Sequence, residues 1–210
     1  ELRGSARLGA GAPDVRLGGD GLDLAGLAGL LLGWELGGTA DLDLRLEHGV
    51  ADATLDVRGA AFASPDYARM GEGLAGSLAA SLPLGHGPAE AHARVDGGEA
   101  LSGTLYVDLS RHPLALDATA RRAGSAWRDA AASLEWTGLG RATFSGELAG
   151  TASGALTLTD LDVAEAFRIF VKEPYQLGDV AVSGRAGAKL RLDGLDPAGG
   201  DEIGRASCRE

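Results

Sequence analysis

Ala40-Asp41-Leu42-Asp43-Leu44-Arg45-Leu46-Glu47, followed by His48-Gly49 and then Ala51-Asp52-Ala53-Thr54-Leu55-Asp56-Val57-Arg58, is the stretch that decides the fold class. Apolar side chains fall on every second residue, the period of a strand with one dry and one wet face. A helix would bring them back every three or four residues. His48-Gly49 supplies a short glycine turn, so the stretch reads as an antiparallel hairpin. The alternation returns in Leu101-Gly103-Leu105-Val107-Leu109, in Leu114-Leu116-Ala118, in Ala142-Phe144-Gly146-Leu148 and in Leu156-Leu158. Its longest run is Val180-Val182-Gly184-Ala186-Ala188-Leu190-Leu192, set against Asp179, Ser183, Arg185, Lys189, Arg191 and Asp193. A strand buried on both faces would be continuously apolar; alternation leaves one face in water and argues against a doubly wound α/β fold.

Composition agrees. The 210 residues include 34 Gly and 7 Pro, about a fifth of the chain and too many for a helical bundle, without the three-residue period of collagen. Hydrophobic residues at 45% and charged residues at 23% describe a folding chain rather than a disordered one. No apolar run is long enough for a transmembrane helix. The formal net charge is −11, and the 19 Lys and Arg alternate with acids instead of forming a basic stripe, which argues against a nucleic-acid partner. Seventeen of those bases are Arg, two are Lys, and Asn is absent, a codon bias that gives the arginines no functional weight.

Ile203-Gly204-Arg205-Ala206-Ser207-Cys208-Arg209-Glu210 looks like the translation of a sequencing adapter. The expectation is therefore one β-rich segment, residues 1–202, of a longer protein, with 203–210 set aside. Cys208 is the only cysteine and falls in that tail, so no disulfide or thiolate chemistry is expected in the segment.

Helices are expected at two places, with a weaker third. Leu22–Leu32 follows Asp20 and Asp23 as candidate N-caps and ends at Gly33. Val163–Lys172 follows Asp160 and Asp162, groups Val163, Phe167, Phe170 and Val171 near one face, and stops before Pro174. Tyr67–Leu78 is a third candidate, diluted by Gly71, Gly73 and Gly76. The phrase around Gly21-Leu22-Asp23-Leu24 is echoed about 140 residues later at Thr159-Asp160-Leu161-Asp162-Val163, too wide a spacing for a solenoid.

No catalytic signature is present. His48, His86, His92 and His112 lack metal-binding spacing, and His48 and His112 sit at turns, where solvated side chains are expected. There is no phosphate-binding lysine loop and no nucleophile elbow. Pairs such as Asp41/Asp43 read as solubilising wet-face residues, and Gly18-Gly19-Asp20-Gly21-Leu22-Asp23-Leu24 as a turn with an N-cap rather than a lone calcium-binding repeat. Trp34, Trp127, Trp136, Phe144, Phe167 and Phe170 are read as packing residues, the last two seating their helix on the sheet.

Leu22-Asp23-Leu24-Ala25-Gly26-Leu27 followed by Gly37-Gly38-Thr39-Ala40-Asp41-Leu42-Asp43-Leu44-Arg45-Leu46, then Ala53-Thr54-Leu55-Asp56-Val57-Arg58-Gly59, resembles the AsmA-like superfamily of bacterial envelope proteins, with the AsmA, TamB and YdbH groups. The block from Leu161 to Leu192 is similar in kind. The resemblance implies a mainly β fold, a long curled antiparallel sheet with two or three short helices packed on it or at its ends. It also implies a periplasmic protein anchored in the inner membrane of a Gram-negative bacterium, which moves phospholipid between inner and outer membranes or assists outer-membrane assembly. Phospholipid acyl chains are then the expected partner, with other envelope proteins as a secondary one, and no cofactor, metal or enzymatic activity is expected. The candidate groove wall is Leu42, Leu44, Leu46, Leu55, Val57, Leu105, Val107, Leu116, Phe144, Leu156, Leu158, Val182, Leu190 and Leu192. The alternative reading is a structural or adhesive β-repeat segment of a secreted surface protein, with a closed core.

Overall fold

A computed structural model describes residues 2–7, 14–26, 33–195 and 207–208. Eleven long strands run antiparallel in one sheet in sequence order, but for one short strand that branches from β6. They are β1 (Leu2–Arg7), β2 (Asp14–Asp23), β3 (Glu35–Glu47), β4 (Val50–Ala63), β5 (Arg69–Pro83), β6 (Gly87–Ser102), β8 (Leu114–Ala123), β9 (Ala126–Trp136), β10 (Gly140–Ala149), β11 (Thr151–Asp162) and β12 (Arg185–Leu195). The branch is β7 (Leu105–Asp108), which pairs only with the last residues of β6, and β13 (Ser207–Cys208) makes a two-residue pairing with β12. β1 and the far end of the sheet do not meet, so the sheet is not closed into a barrel.

The deciding hairpin forms as read. β3 and β4 pair from Glu47↔Val50 to Ala40↔Val57, and the turn has φ 51° at His48 and 77° at Gly49. Positive φ at both central positions is the turn whose twist matches that of paired strands.

Four expectations are corrected. Tyr67–Leu78 is not helical: Arg69 onward is β5, because its three glycines give a helix nothing to pack while Met70 and Leu78 find strand neighbours on both sides. Leu22–Leu32 begins as strand, since Leu22 and Asp23 pair with Ala40 and Thr39; Leu24–Gly26 makes a 3₁₀ turn, and residues 27–32 lie outside the described residues. The run Leu101–Leu109 is no single strand but folds back at Gly103 (φ 60°), with Leu101 opposite Tyr106. Finally, Val180 and Val182 precede β12 in irregular chain and are exposed.

The helix after Asp162 forms: α1 (Val163–Phe167) continues as a π-helical turn, Arg168–Lys172. The Asp162 carboxylate accepts from the Glu165 N–H at 3.0 Å, an N-cap. The change to π winding shifts the helical phase, so Ile169, 2% exposed, is the buried anchor rather than Phe167 or Phe170. Phe170 stays 40% exposed but meets the Trp136 ring edge-on at 5.8 Å.

The echoed phrase has a structural counterpart. Gly21 (φ 58°) and Asp160 (φ 54°) each sit where the ladder to the next strand slips register. Two residues later, Asp23 and Asp162 accept from the backbone N–H groups of Ala25 and Glu165 as the chain leaves the sheet. Further register shifts fall at Gly37/Thr39, Val57/Ala60 and Glu72/Ala75, next to left-handed Gly38, Gly59, Gly73 and Gly98. These form a seam of bulges across β2–β6, and bulges bend strands and raise their twist.

Candidate dry face and its sealed end

Side chains directly opposite in a ladder share a face, so register alone assembles the site. One row reads Leu17, Leu44, Ala53, Ala80, Ala91, Ala118, Ala132, Phe144, Leu156, Leu190 across ten consecutively paired strands. The next reads Gly19, Leu42, Leu55, Leu78, Ala93, Leu116, Leu134, Ala142, Leu158, Ala188. No polar side chain interrupts either row. At roughly 4.8 Å per strand the dry face runs about 43 Å. Five adjacent alanines, Ala53 to Ala132, form its low middle between Leu44 and Phe144.

The opposite face is as consistently wet. Its matching row is Gly18, Asp43, Thr54, Ala79, His92, Asp117, Ser133, Thr143, Thr157, Lys189. Ion pairs lace it: Arg141–Glu135 at 2.5 Å, Arg45–Asp43 at 2.6 Å, and Arg16–Glu47 and Arg58–Asp41, with a hydrogen bond between His92 and Asp117 at 2.7 Å. All are solvated pairs of small individual worth. A shallow depression between Asp43, Arg45, Glu90 and His92 is lined by mixed charges. Among the described residues no group of His, Cys, Asp and Glu could hold a metal ion, and no helix is long and apolar enough to cross a membrane.

Among the described residues, the dry face is covered at one end only. Val107, Leu109, Leu139 and Ile169 form a buried cluster, with Leu74, Val95, Leu114, Trp136 and Leu161 against it. Elsewhere the face is half-buried or exposed: Leu78, Leu82, Leu116 and Leu134 are each more than a third exposed. Five of the nine buried hydrophobic residues described are alanines, so burial here comes from neighbouring strands and not from a second layer.

Most of the predicted wall comes together. Leu42, Leu44, Leu46, Leu55, Val57, Leu116, Phe144, Leu156, Leu158, Leu190 and Leu192 share the dry face. Leu105 and Val107 share it through Ser102 and Ala100, but Val107 belongs to the sealed cluster. Val182 lies off the sheet. The alternation also passes through Leu17, Leu78, Leu134 and the alanine floor, which were readable as strands only once their registers were known.

Two constellations at the sealed end were not foreseen. His112 is buried, not solvated, 5% exposed beneath α1. Its Nδ1–H donates to the Thr137 carbonyl (3.1 Å) and its Nε2 lies 2.9 Å from Glu165 Oε1. Glu165 also accepts from Arg168 at 2.5 and 2.9 Å, and that hydrogen bonding, working against desolvation, holds its carboxyl below the usual range. Reciprocally, Glu165 and Glu173 hold the Arg168 guanidinium more firmly protonated than usual. The network clamps α1 to the turn after β7; the only sequence signal for it was a His-Pro pair four residues past a strand. The second constellation is an apolar cavity of about 530 Å³, lined by Trp34, Leu36, Phe62, Leu105 and Val107 with Arg69 at its margin.

Fold and site together define an open single-layer antiparallel sheet with a continuous dry face, a charged wet face and one helically sealed end. No family model matches the chain, and no curated protein or solved structure matches it.

Proposed function

We propose that this chain is a lipid-conducting segment of a bacterial envelope protein, which holds phospholipid acyl chains on its dry face while they pass between membranes. One observation carries the reading: two adjacent rows, ten strands wide, hold no polar side chain and have no second layer over them among the described residues. A water-exposed apolar area of this extent marks a surface made to be covered. Each methylene it removes from water contributes about 0.8 kcal/mol without asking for a particular shape, which suits a ligand that must slide. The AsmA-like style of the hairpins supports the same reading, and with it a periplasmic setting and an anchor in the inner membrane.

The test is purification from a Gram-negative host followed by organic extraction and phospholipid quantification. Wild-type protein is expected to carry phospholipid, and Leu44→Glu or Leu190→Glu to carry several-fold less with an unchanged far-UV circular dichroism spectrum. A lipid-free wild-type protein, or variants that retain the full load, would overturn the proposal. Lipid-free protein that self-associates through the edges of its sheet would point instead to the structural, adhesive reading.

A further inference from the structure

We infer that the lip of the dry face opposite the sealed end docks on an anionic phospholipid bilayer, its leucines entering the headgroup boundary and the arginines of the β8–β9 turn meeting phosphates. The inference rests on the lipid reading above and adds the surface at which the dry face meets its source of lipid. Four neighbouring strands end at this lip. Gly87 at the start of β6 is opposite Arg122 near the end of β8, Arg122 is opposite Trp127 on β9, and Trp127 is opposite Leu148 on β10. Arg122, two residues along β8 from Ala120, lies on the dry face, and the ladder carries Trp127 and Leu148 with it. The leucines here stand well into solvent: Leu84 is 53% exposed, Leu82 44% and Leu148 38%.

Charge sets the partner. The chain carries a formal net charge of −11, yet no acid falls within 82–89, 119–128 or 148–152, the three turns of this lip, and they hold Arg121, Arg122 and Arg128. The nearest acids along the chain, Glu90, Asp129 and Glu147, begin where those turns end. Arg121 and Arg128 are directly opposite each other on the wet face, both exposed, and neither side chain makes an ion pair or hydrogen bond among the described residues. Like charges directly opposite in a ladder destabilise it, and an anion seated between them relieves that cost. Arg122 is used differently. Its guanidinium lies 5.7 Å from the centre of the Trp127 ring, and its Nη1 donates to the Pro83 carbonyl at 3.0 Å. That bond ties the β8–β9 turn to the end of β5, so Leu82, Leu84 and Trp127 are presented along one edge. Apolar side chains on one side, a tryptophan at the boundary and unpaired arginines on the other match the layering of a membrane interface, where apolar burial and attraction to anionic lipid add.

The test is cosedimentation of the full chain with vesicles of phosphatidylcholine alone and of phosphatidylcholine containing phosphatidylglycerol. Wild type is expected to bind the anionic vesicles about tenfold better, a preference that fades at high salt and that Arg121→Ser/Arg128→Ser largely removes. Lys189→Ser/Arg191→Ser, which takes the same charge from the wet face of β12, is expected to keep it. Equal binding of both vesicles by wild type, or equal loss in the two double variants, overturns the docking inference. A dimer that Arg121→Ser/Arg128→Ser breaks, with no preference between vesicles, also overturns it and makes the occupant a second copy of this chain. If phospholipid still copurifies in those cases, the conducting reading stands while the docking lip falls. A lipid-free protein that nevertheless prefers anionic vesicles keeps the docking lip and removes the conducting reading.

Discussion

Gly76 shows how closely the strands approach on the dry face. A Cβ there would lie 3.1 Å from Val95 Cα and well inside contact distance of the Arg94 carbonyl oxygen, with no flexible side chain to give way. Gly76→Ala is therefore expected to cost about 2 kcal/mol in chemical denaturation, whereas Gly85→Ala, which meets nothing within 4 Å, should stay within about 0.5 kcal/mol. Equal effects would mean that the backbone at Gly76 relaxes freely. Glu165 gives a pH-dependent counterpart. Its folded-state carboxyl is held below the unfolded value by Arg168, so its stabilisation is complete above the unfolded pKa of about 4.3 and fades as pH falls through the folded value. The stability gap between wild type and Glu165→Gln should be about 1–3 kcal/mol at pH 7 and narrow below about pH 4.3. A gap that does not change with pH would remove Glu165 from the clamp.

At the scale of elements, α1 and its π-helical extension total ten residues, too few to persist alone in water. What holds them is Ile169 in the cluster with Val107, Leu109 and Leu139, together with the His112–Glu165–Arg168 clamp. Ile169→Ala removes the large side chain that is most deeply buried among the described residues, at an expected cost of about 2–4 kcal/mol. Because the helix packs on β7 and on Trp136 at the end of β9, amide exchange should rise across 163–172 and in β7 while the β3–β4 hairpin keeps its protection. Loss of protection in both regions together would show that the sealed end and the open sheet unfold as one. The bulge seam belongs to this scale too. Its glycines interrupt the sequence alternation, and they keep Leu36 and Phe62 on the same face as Leu42 and Leu55 despite the inserted residue.

For the molecule as a whole, the dry face explains why Leu44→Glu should spare the fold while reducing bound lipid. Leu44 sits on a half-exposed surface, and a carboxylate there remains in reach of water, whereas an acid at Val107 would be sealed in. The strand alternation, the His48-Gly49 turn, the mainly β class and the Asp162-capped helix were all legible in the sequence, because each depends on neighbours within a few residues. Tyr67–Leu78 reads only as a weak helix candidate because its glycines mask a period that paired strands reveal. Burial of His112 and the phase shift that made Ile169 the anchor could not be read that way. Amino-acid order by itself determined which side of each ribbon is greasy, since that follows from a two-residue period. Only tertiary structure decided that ten such sides align into one surface left uncovered among the described residues and that one end is closed, because register and strand bending are set by partners distant in the chain.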